Sequence, residues 1–140
     1  MIHVQKTGFW ENPFVQSAGY FSVVVLCLVV AMLIFEVVTK YNNWEEIKKG
    51  NIAVALATGG KIVGICNVFR YSIERHSTFI EMLAWGFFGF ILLIFAYFLF
   101  EFLTPKFNVD EEIKNDNRSV GLISFTISVG LSFVIGASIA

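Results

Sequence analysis

The chain contains an internal repeat, in which residues 40–73 recur as residues 106–139 at an offset of 66 positions. Fourteen of the 34 aligned positions are identical, which is too many for two hydrophobic segments that match through composition alone. Upstream of Pro105 the register slips by one residue, and Glu36 then aligns with Glu101. A repeat of this length predicts that one structural unit is built twice along the chain.

Each copy of the unit contains two apolar runs with a charged segment between them, and 56% of the 140 residues are hydrophobic. Each run has about the twenty residues that a helix needs to cross roughly 30 Å of hydrocarbon. We therefore predict an all-α membrane protein with four transmembrane helices, built from two tandem two-helix repeats. The predicted spans are residues 17–38, 52–72, 78–103 and 119–140. The predicted domains are an outer interfacial segment, repeat 1 and repeat 2, at residues 1–16, 17–73 and 78–140.

The distribution of lysine and arginine predicts the orientation in the membrane. In a four-span protein the two charged loops lie on one side, and the N-terminus and the 73–77 loop lie on the other. Because cytoplasmic loops carry an excess of basic residues, we expect the charged loops in the cytoplasm and both termini outside. The basic residues are Lys40, Lys48, Lys49, Lys106, Lys114 and Arg118 on the first side, and Lys6, Arg70 and Arg75 on the second.

Small residues form a stripe along the second span, within about 60° of arc at 100° per residue. Such stripes let helix backbones approach closely in a membrane, so we predict helix packing at this stripe. A second small and polar stripe, on the fourth span, lies on a different face of the repeat unit, so the copies should differ in what they pack against. Short connections favour antiparallel sequence neighbours in a four-helix bundle. The stripes are Ala53, Ala57, Gly60 and Gly64, and Gly121, Ser124, Ser128 and Ser132.

Asparagine residues precede both of these spans. Asn51 and Asn117 occupy equivalent positions of the repeat, immediately before an apolar run. Asparagine at this position caps the free amides of a helix start, so we predict both residues as N-caps.

Lys61 lies near the middle of the second span, and its repeat-equivalent residue is Ile127. A lysine at this depth costs roughly 2.5–3.5 kcal/mol on insertion scales, so it is a candidate permeation or proton-handling site. Two structural alternatives are open: the side chain reaches the membrane surface, or it pairs with Glu36 or Glu101. These two acids are also candidates for a ring of carboxylates at a pore mouth. Other candidate residues for a polar path are Thr58, Ser124 and Ser128.

The sequence predicts neither catalysis nor a cofactor. It contains no arrangement of a nucleophile with a base, no phosphate-binding loop and no metal-ligand spacing, so we expect no enzyme activity and no metal. Cys27 and Cys66 fall inside predicted spans, where they act as small apolar residues.

Several short motifs resemble one family of bacterial proteins. They are Gly50-Asn51 with Ala53, Ala55-Leu56-Ala57 and Gly59-Gly60-Lys61 in repeat 1, Ala84-Trp85-Gly86 in the third span, and Asn115-Asp116-Asn117-Arg118-Ser119-Val120-Gly121 before the fourth. Across roughly residues 18–139 the chain is similar to the YjfL-like inner-membrane proteins, domain of unknown function 350, present as two tandem copies. The resemblance implies a bacterial cytoplasmic (inner) membrane location and, in some members, an association with envelope-stress genes. It implies no established activity, substrate or catalytic residue.

Two function classes remain at this point. The first is an oligomeric structural or interaction subunit of the cell envelope, with a cytoplasmic protein partner at the loops 40–50 and 106–118. The second is a small homo-oligomeric channel or transporter for an ion or small polar solute, with Lys61 on the path. The low polar content of the spans favours the first class. In both we expect contact with the lipid bilayer, a homo-oligomer and no binding of nucleic acid.

Overall fold

The computed structural model describes residues 8–104, 106 and 108–140, so residues 1–7 of the predicted outer segment lie outside the described residues. The described part of the chain forms one short 3-10 helix, Phe9–Glu11, and six α-helices. Four of them are long and apolar enough to cross a membrane, which confirms the predicted all-α class with four transmembrane helices. The helices are α1 (Pro13–Val38), α2 (Asn43–Lys48), α3 (Ile52–Arg75), α4 (Phe79–Leu103), α5 (Val109–Lys114) and α6 (Arg118–Ile139).

Two spans are longer than their apolar runs. Helix α1 begins at Pro13, because the side chain of Asn12 accepts a hydrogen bond from the amide of Phe14 and proline presets the first helical φ. Residues 13–16 are therefore part of helix α1. Helix α3 continues past its apolar run to Arg75.

The short helices α2 and α5 end in the same way. Each is followed by one residue with positive φ, Gly50 at 87° and Asp116 at 60°. This left-handed conformation is open to glycine and tolerated by aspartate, and it turns the chain sharply into the next long helix. Asn51 and Asn117 come next, and each side chain accepts a hydrogen bond from the amide three residues later, at 3.0 and 3.4 Å. Both asparagines thus sit at N-cap positions.

Helix α3 is the centre of the bundle, and its most extensive contact is with α6. The side-chain amide of Asn51 donates to the carbonyl oxygen of Lys114, just before α6, at 2.7 Å. At the opposite end Nε2 of His76 lies 2.8 Å from the carbonyl oxygen of Ile139. The two helices therefore run parallel to each other.

Glycine residues, which have no side chain, explain why this parallel pair of helices packs most tightly. A Cβ atom on Gly60 would lie 2.6 Å from Cα of Phe125, and one on Gly121 would lie 2.7 Å from Cα of Ala53. The backbones of α3 and α6 therefore touch directly, as small residues allow between membrane helices. The two predicted stripes pack against each other, although they lie on different faces of the repeat unit.

Helices α1 and α4 cover the other side of α3 with larger side chains. Phe35 of α1 packs edge-on against Phe90 and Tyr97 of α4, with ring centroids 5.7 and 6.3 Å apart. Helix α1 contributes few buried residues, only Cys27, Ala31 and Phe35. It is therefore a peripheral helix with a large lipid-facing surface.

A buried charged cluster as the candidate functional site

Lys61 lies inside the bundle, on the side of α3 that faces α1 and α4. Its side chain is 1% exposed, and Nζ lies 5.1 Å from the ring centroid of Phe35 and 5.0 Å from that of Tyr97. Aromatic faces attract a cation, which accounts for this position. Among the described residues Nζ has no hydrogen-bond partner. The side chain does not reach the membrane surface, so the snorkelling alternative does not apply.

Asp110, near the start of α5, supplies a buried carboxylate to the same region and is 2% exposed. It accepts a hydrogen bond from the hydroxyl of Tyr97 and another from the backbone amide of Lys40, at 3.3 Å. Nζ of Lys61 lies 5.0 Å from the centroid of the same tyrosine ring. Lys61 and Asp110 thus share one neighbour, Tyr97, which places the cation and the buried carboxylate in one region.

Glu36 is held by the first residue of α2. The side-chain amide of Asn43 donates to Glu36 at 2.6 Å, and its backbone amide donates to the same carboxylate at 3.2 Å. The hydroxyl of Thr58 in turn donates to Oδ1 of Asn43 at 3.3 Å. Asn43 is fully buried, so α2 is fixed against the ends of α1 and α3 through polar contacts.

Tyr41 completes the cluster from the segment between α1 and α2. Burial, together with the negative charges of Asp110 and Glu36, raises the pKa of its hydroxyl. Among the described residues this hydroxyl has no hydrogen-bond partner. Two buried donors, this hydroxyl and Nζ of Lys61, are left with unused hydrogen-bonding capacity.

We call this group the buried cluster; it consists of Glu36, Tyr41, Asn43, Lys61, Tyr97 and Asp110. It lies where the short helices α2 and α5 meet the long ones. One cation and one carboxylate, Lys61 and Asp110, are buried, and Glu36 is half-buried beside them. Buried charges are costly in a bilayer and typical of functional positions. Chemically the cluster can hold or exchange a proton, and its unused donors can bind water. The described residues contain no group of three side chains suited to a metal ion.

The ion pairs expected for Lys61 are not formed. Glu101 lies 4.0 Å from Nζ of Lys40, and Glu36 is bound by Asn43 instead. The predicted pairing of Lys61 with Glu36 or Glu101 is therefore wrong as a direct contact. The reason is the fold of the loops, which brings other donors to both acids.

The candidate polar residues do not line one continuous path. Thr58 bonds to Asn43 within the buried cluster. Ser124 and Ser128 instead border a cavity of about 10 Å³ between α4 and α6, which is close to the smallest space that holds one water molecule. The contact between α4 and α6 is thus almost fully packed at this level.

Sequence reasoning missed most of the buried cluster, namely Tyr41, Asn43, Tyr97 and Asp110. One signal was available in the repeat: Asp110 stands where the first copy has Trp44, and Trp44 is 57% exposed. A carboxylate in place of an aromatic residue marks a departure from the repeat, just as Lys61 does against Ile127. The two charges come from different copies and from positions that are not equivalent.

Comparisons with known proteins place this chain in a family. Residues 9–139 match the family described as Domain of Unknown Function (DUF350). The chain is 62% identical over 133 residues to the transmembrane protein YshE of Bacillus subtilis, covering 95% of this chain and 99% of YshE. It is 22% identical over 112 residues to the inner membrane protein YjfL of Escherichia coli K12, covering 80% and 83%. It is 26% identical to a transmembrane protein of Aquifex aeolicus, covering 94% of this chain and 51% of that protein. No solved structure matches the chain.

Proposed function

Because the chain belongs to the DUF350 family of membrane proteins, we propose that it acts as an oligomeric structural or interaction subunit of the bacterial cell envelope. The observation that carries this proposal is the close packing of α3 against α6, beside which only a cavity of about 10 Å³ remains between α4 and α6. Backbone contact at Gly60 and Gly121 closes the space between α3 and α6. A solute would therefore not pass between α3 and α6.

The loop end of the molecule is the surface that suits a cytoplasmic partner. Helices α2 and α5 bury one side against the bundle through Asn43, Val109 and Ile113. Their other sides carry exposed charges of both signs beside the exposed ring of Trp44. Exposed aromatic rings with a charged rim are common in protein interfaces. The exposed charged residues are Glu45 and Lys48 on α2, Lys49 directly after it, and Glu111 and Lys114 on α5.

Single-molecule photobleaching of the full chain, labelled at its N-terminus and reconstituted in liposomes, tests the proposal. We expect two or more bleaching steps per particle, unchanged as lipid is added in excess. Proteoliposomes of the same sample should show no ion flux above that of protein-free liposomes. Single-step bleaching at every dilution, or protein-dependent flux, would contradict the proposal.

The proposed orientation places the loop end in the cytoplasm, because six basic residues lie in the two charged loops. In a background without Cys27 and Cys66, a cysteine at Glu45 should be protected from a membrane-impermeant thiol reagent in intact cells. A cysteine at Ser77, exposed at the opposite end, should be labelled. Permeabilised cells serve as the control, in which both positions should react. Labelling of the Glu45 position in intact cells would reverse the orientation.

A second candidate function is proton or ion movement through an oligomer, and the unsatisfied Nζ of Lys61 favours it. Polar groups that are buried in a membrane without partners are often kept for transport. Under this alternative, flux would be present in proteoliposomes and would be lost in the Lys61→Met variant. The flux measurement described above therefore separates the two functions.

A further inference from the structure

An uncovered stripe runs along the outer side of α6. We call it the outer face of α6; it consists of Ser119, Ile123, Thr126, Gly130 and Ala137, all of them exposed. At 100° per residue these positions fall within about 60° of arc. A Cβ atom on Gly130 would meet nothing within 4 Å. This surface is therefore open to close approach by another helix.

The equivalent positions of the first repeat, on α3, are all covered by packing within the chain. An offset of 66 maps Ala53, Ala57, Gly60 and Gly64 of α3 onto the first four residues of the outer face of α6. In α3 these four are buried, and Gly60 and Gly64 approach the backbone of α6. The outer face of α6 is thus the counterpart of a surface that, in α3, binds a parallel helix.

The groove that accepts such a helix face also occurs in both repeats, but a helix occupies it only in the second repeat. In the second copy, α3 fills the groove between α4 and α6, and a cavity of only about 10 Å³ remains there. In the first copy, the corresponding groove between α1 and α3 is open, with volumes of about 570 and 390 Å³ along its length. Leu28, Ile62 and Cys66 lie in this α1–α3 groove. The groove therefore lacks the helix that its counterpart holds.

We infer that the outer face of α6 packs into the α1–α3 groove of a second copy of this chain, so that copies associate head to tail. The inference rests on the proposed oligomeric function and specifies its interface. Within one chain the two repeats already associate through non-equivalent faces, which leaves one face of each kind uncovered. Contacts between two different surfaces of identical chains are called heterologous, and they form a closed ring when the rotation from one chain to the next closes.

The charges and the small side chains of the two surfaces are consistent with α6 of a second chain in the groove. Arg118 lies at the loop end of α6, and Glu36 and Glu45 line the loop end of the groove, so parallel helices bring opposite charges to one level. Small residues let the helices meet closely where lipid supplies no hydrophobic drive. A groove filled by lipid, or by an unrelated membrane helix, is an alternative outcome of the test.

The contacts inside one chain predict which residues meet between chains. Within one chain Gly121 of α6 approaches Ala53 of α3. In the inferred contact, α6 of one chain takes the place of α3, and α3 of its neighbour takes the place of α6. Adding 66 to position 53 and subtracting 66 from position 121 therefore brings Ser119 of one chain to Ala55 of its neighbour. The side chains of Asn67 and Ser132 bond at 3.0 Å, and the same shift brings Phe133 of one copy to Cys66 of its neighbour.

Disulfide trapping in native membranes tests these pairs, in chains where Cys27 is replaced by alanine. The matched pairs are Ser119→Cys with Ala55→Cys, in which Cys66 is also alanine, and Phe133→Cys with the native Cys66. We expect oxidation to give a ladder of dimers, trimers and larger species, because every chain carries both halves of the contact. The crossed pairs are the controls: Ser119→Cys with native Cys66, and Phe133→Cys with Ala55→Cys in a chain where Cys66 is also alanine. They should remain monomeric, because positions 55 and 66 lie about 16 Å apart along α3 and a disulfide needs Cα atoms within about 7 Å.

Three results would overturn the inference. Absence of cross-links in both matched pairs, while photobleaching still shows oligomers, would leave the proposed function standing and place the interface elsewhere. Dimers from Ser119→Cys alone would indicate a symmetric contact between two outer faces of α6. Cross-links in the crossed pairs as strong as in the matched pairs would indicate random collision.

Discussion

The Gly60→Ala variant is expected to lose about 3 kcal/mol of stability, at the upper end of the usual range for overpacking. The added Cβ would lie 2.6 Å from Cα of Phe125, and backbone atoms cannot rotate away as a flexible side chain can. Relief requires α3 and α6 to separate along their shared length. Gly121→Ala should behave in the same way, because its Cβ would lie 2.7 Å from Cα of Ala53.

Equilibrium unfolding in detergent micelles measures this loss. Gly19→Ala in α1 is the matched control, because a Cβ there meets nothing within 4 Å and the position lies outside the proposed oligomer interface. We expect the control to match the wild type or to be slightly more stable. Equal stability of the Gly60 and Gly19 variants would mean that α3 and α6 do not touch through their backbones.

The Lys61→Met variant is expected to be destabilised by about 3 kcal/mol, as when one partner of a buried pair is removed. Methionine keeps the length and apolar stem of the side chain but leaves the carboxylate of Asp110 buried without a nearby cation. We therefore expect the attraction between Lys61 and Asp110 to outweigh the cost of the unbonded Nζ. This expectation keeps the sequence-based view that Lys61 has a charge partner, but it moves the partner from Glu36 or Glu101 to Asp110.

A double-mutant cycle distinguishes these partners. Asp110→Asn keeps an acceptor for the hydroxyl of Tyr97 and removes the negative charge, so it should restore stability to Lys61→Met with a coupling energy of about 2 kcal/mol. Glu101→Gln is the control, because Glu101 faces Lys40 and its effect should add to that of Lys61→Met. Unchanged or increased stability of Lys61→Met alone would show that the charge of Lys61 does not stabilise the folded protein.

The buried cluster joins the two halves of the chain. Lys61 belongs to the first copy and Asp110 to the second, and their repeat-equivalent positions hold Ile127 and Trp44. Each copy on its own would leave one buried charge uncompensated. We therefore expect the two copies to depend on each other for stability, although each is built to the same plan.

The membrane-spanning architecture could be read from the sequence because its causes are local. Four apolar runs of sufficient length specify four helices, since the bilayer leaves the backbone no other way to satisfy its hydrogen bonds. The residues between them, such as Gly50 and Asn51, carry their turn and cap chemistry in a few consecutive positions. The membership in the YjfL-like family could likewise be read from such short motifs.

The pairing of α3 with α6 and the composition of the buried cluster were decided by tertiary structure alone. The stripes on α3 and α6 were visible in the sequence, but nothing local states that one stripe packs against the other rather than against a sequence neighbour. The partners of Lys61 were hidden for the same reason: Tyr97 and Asp110 are 36 and 49 positions away in the chain. A buried charge shows only that a partner is needed, whereas the partner's identity depends on which helix ends the fold brings together.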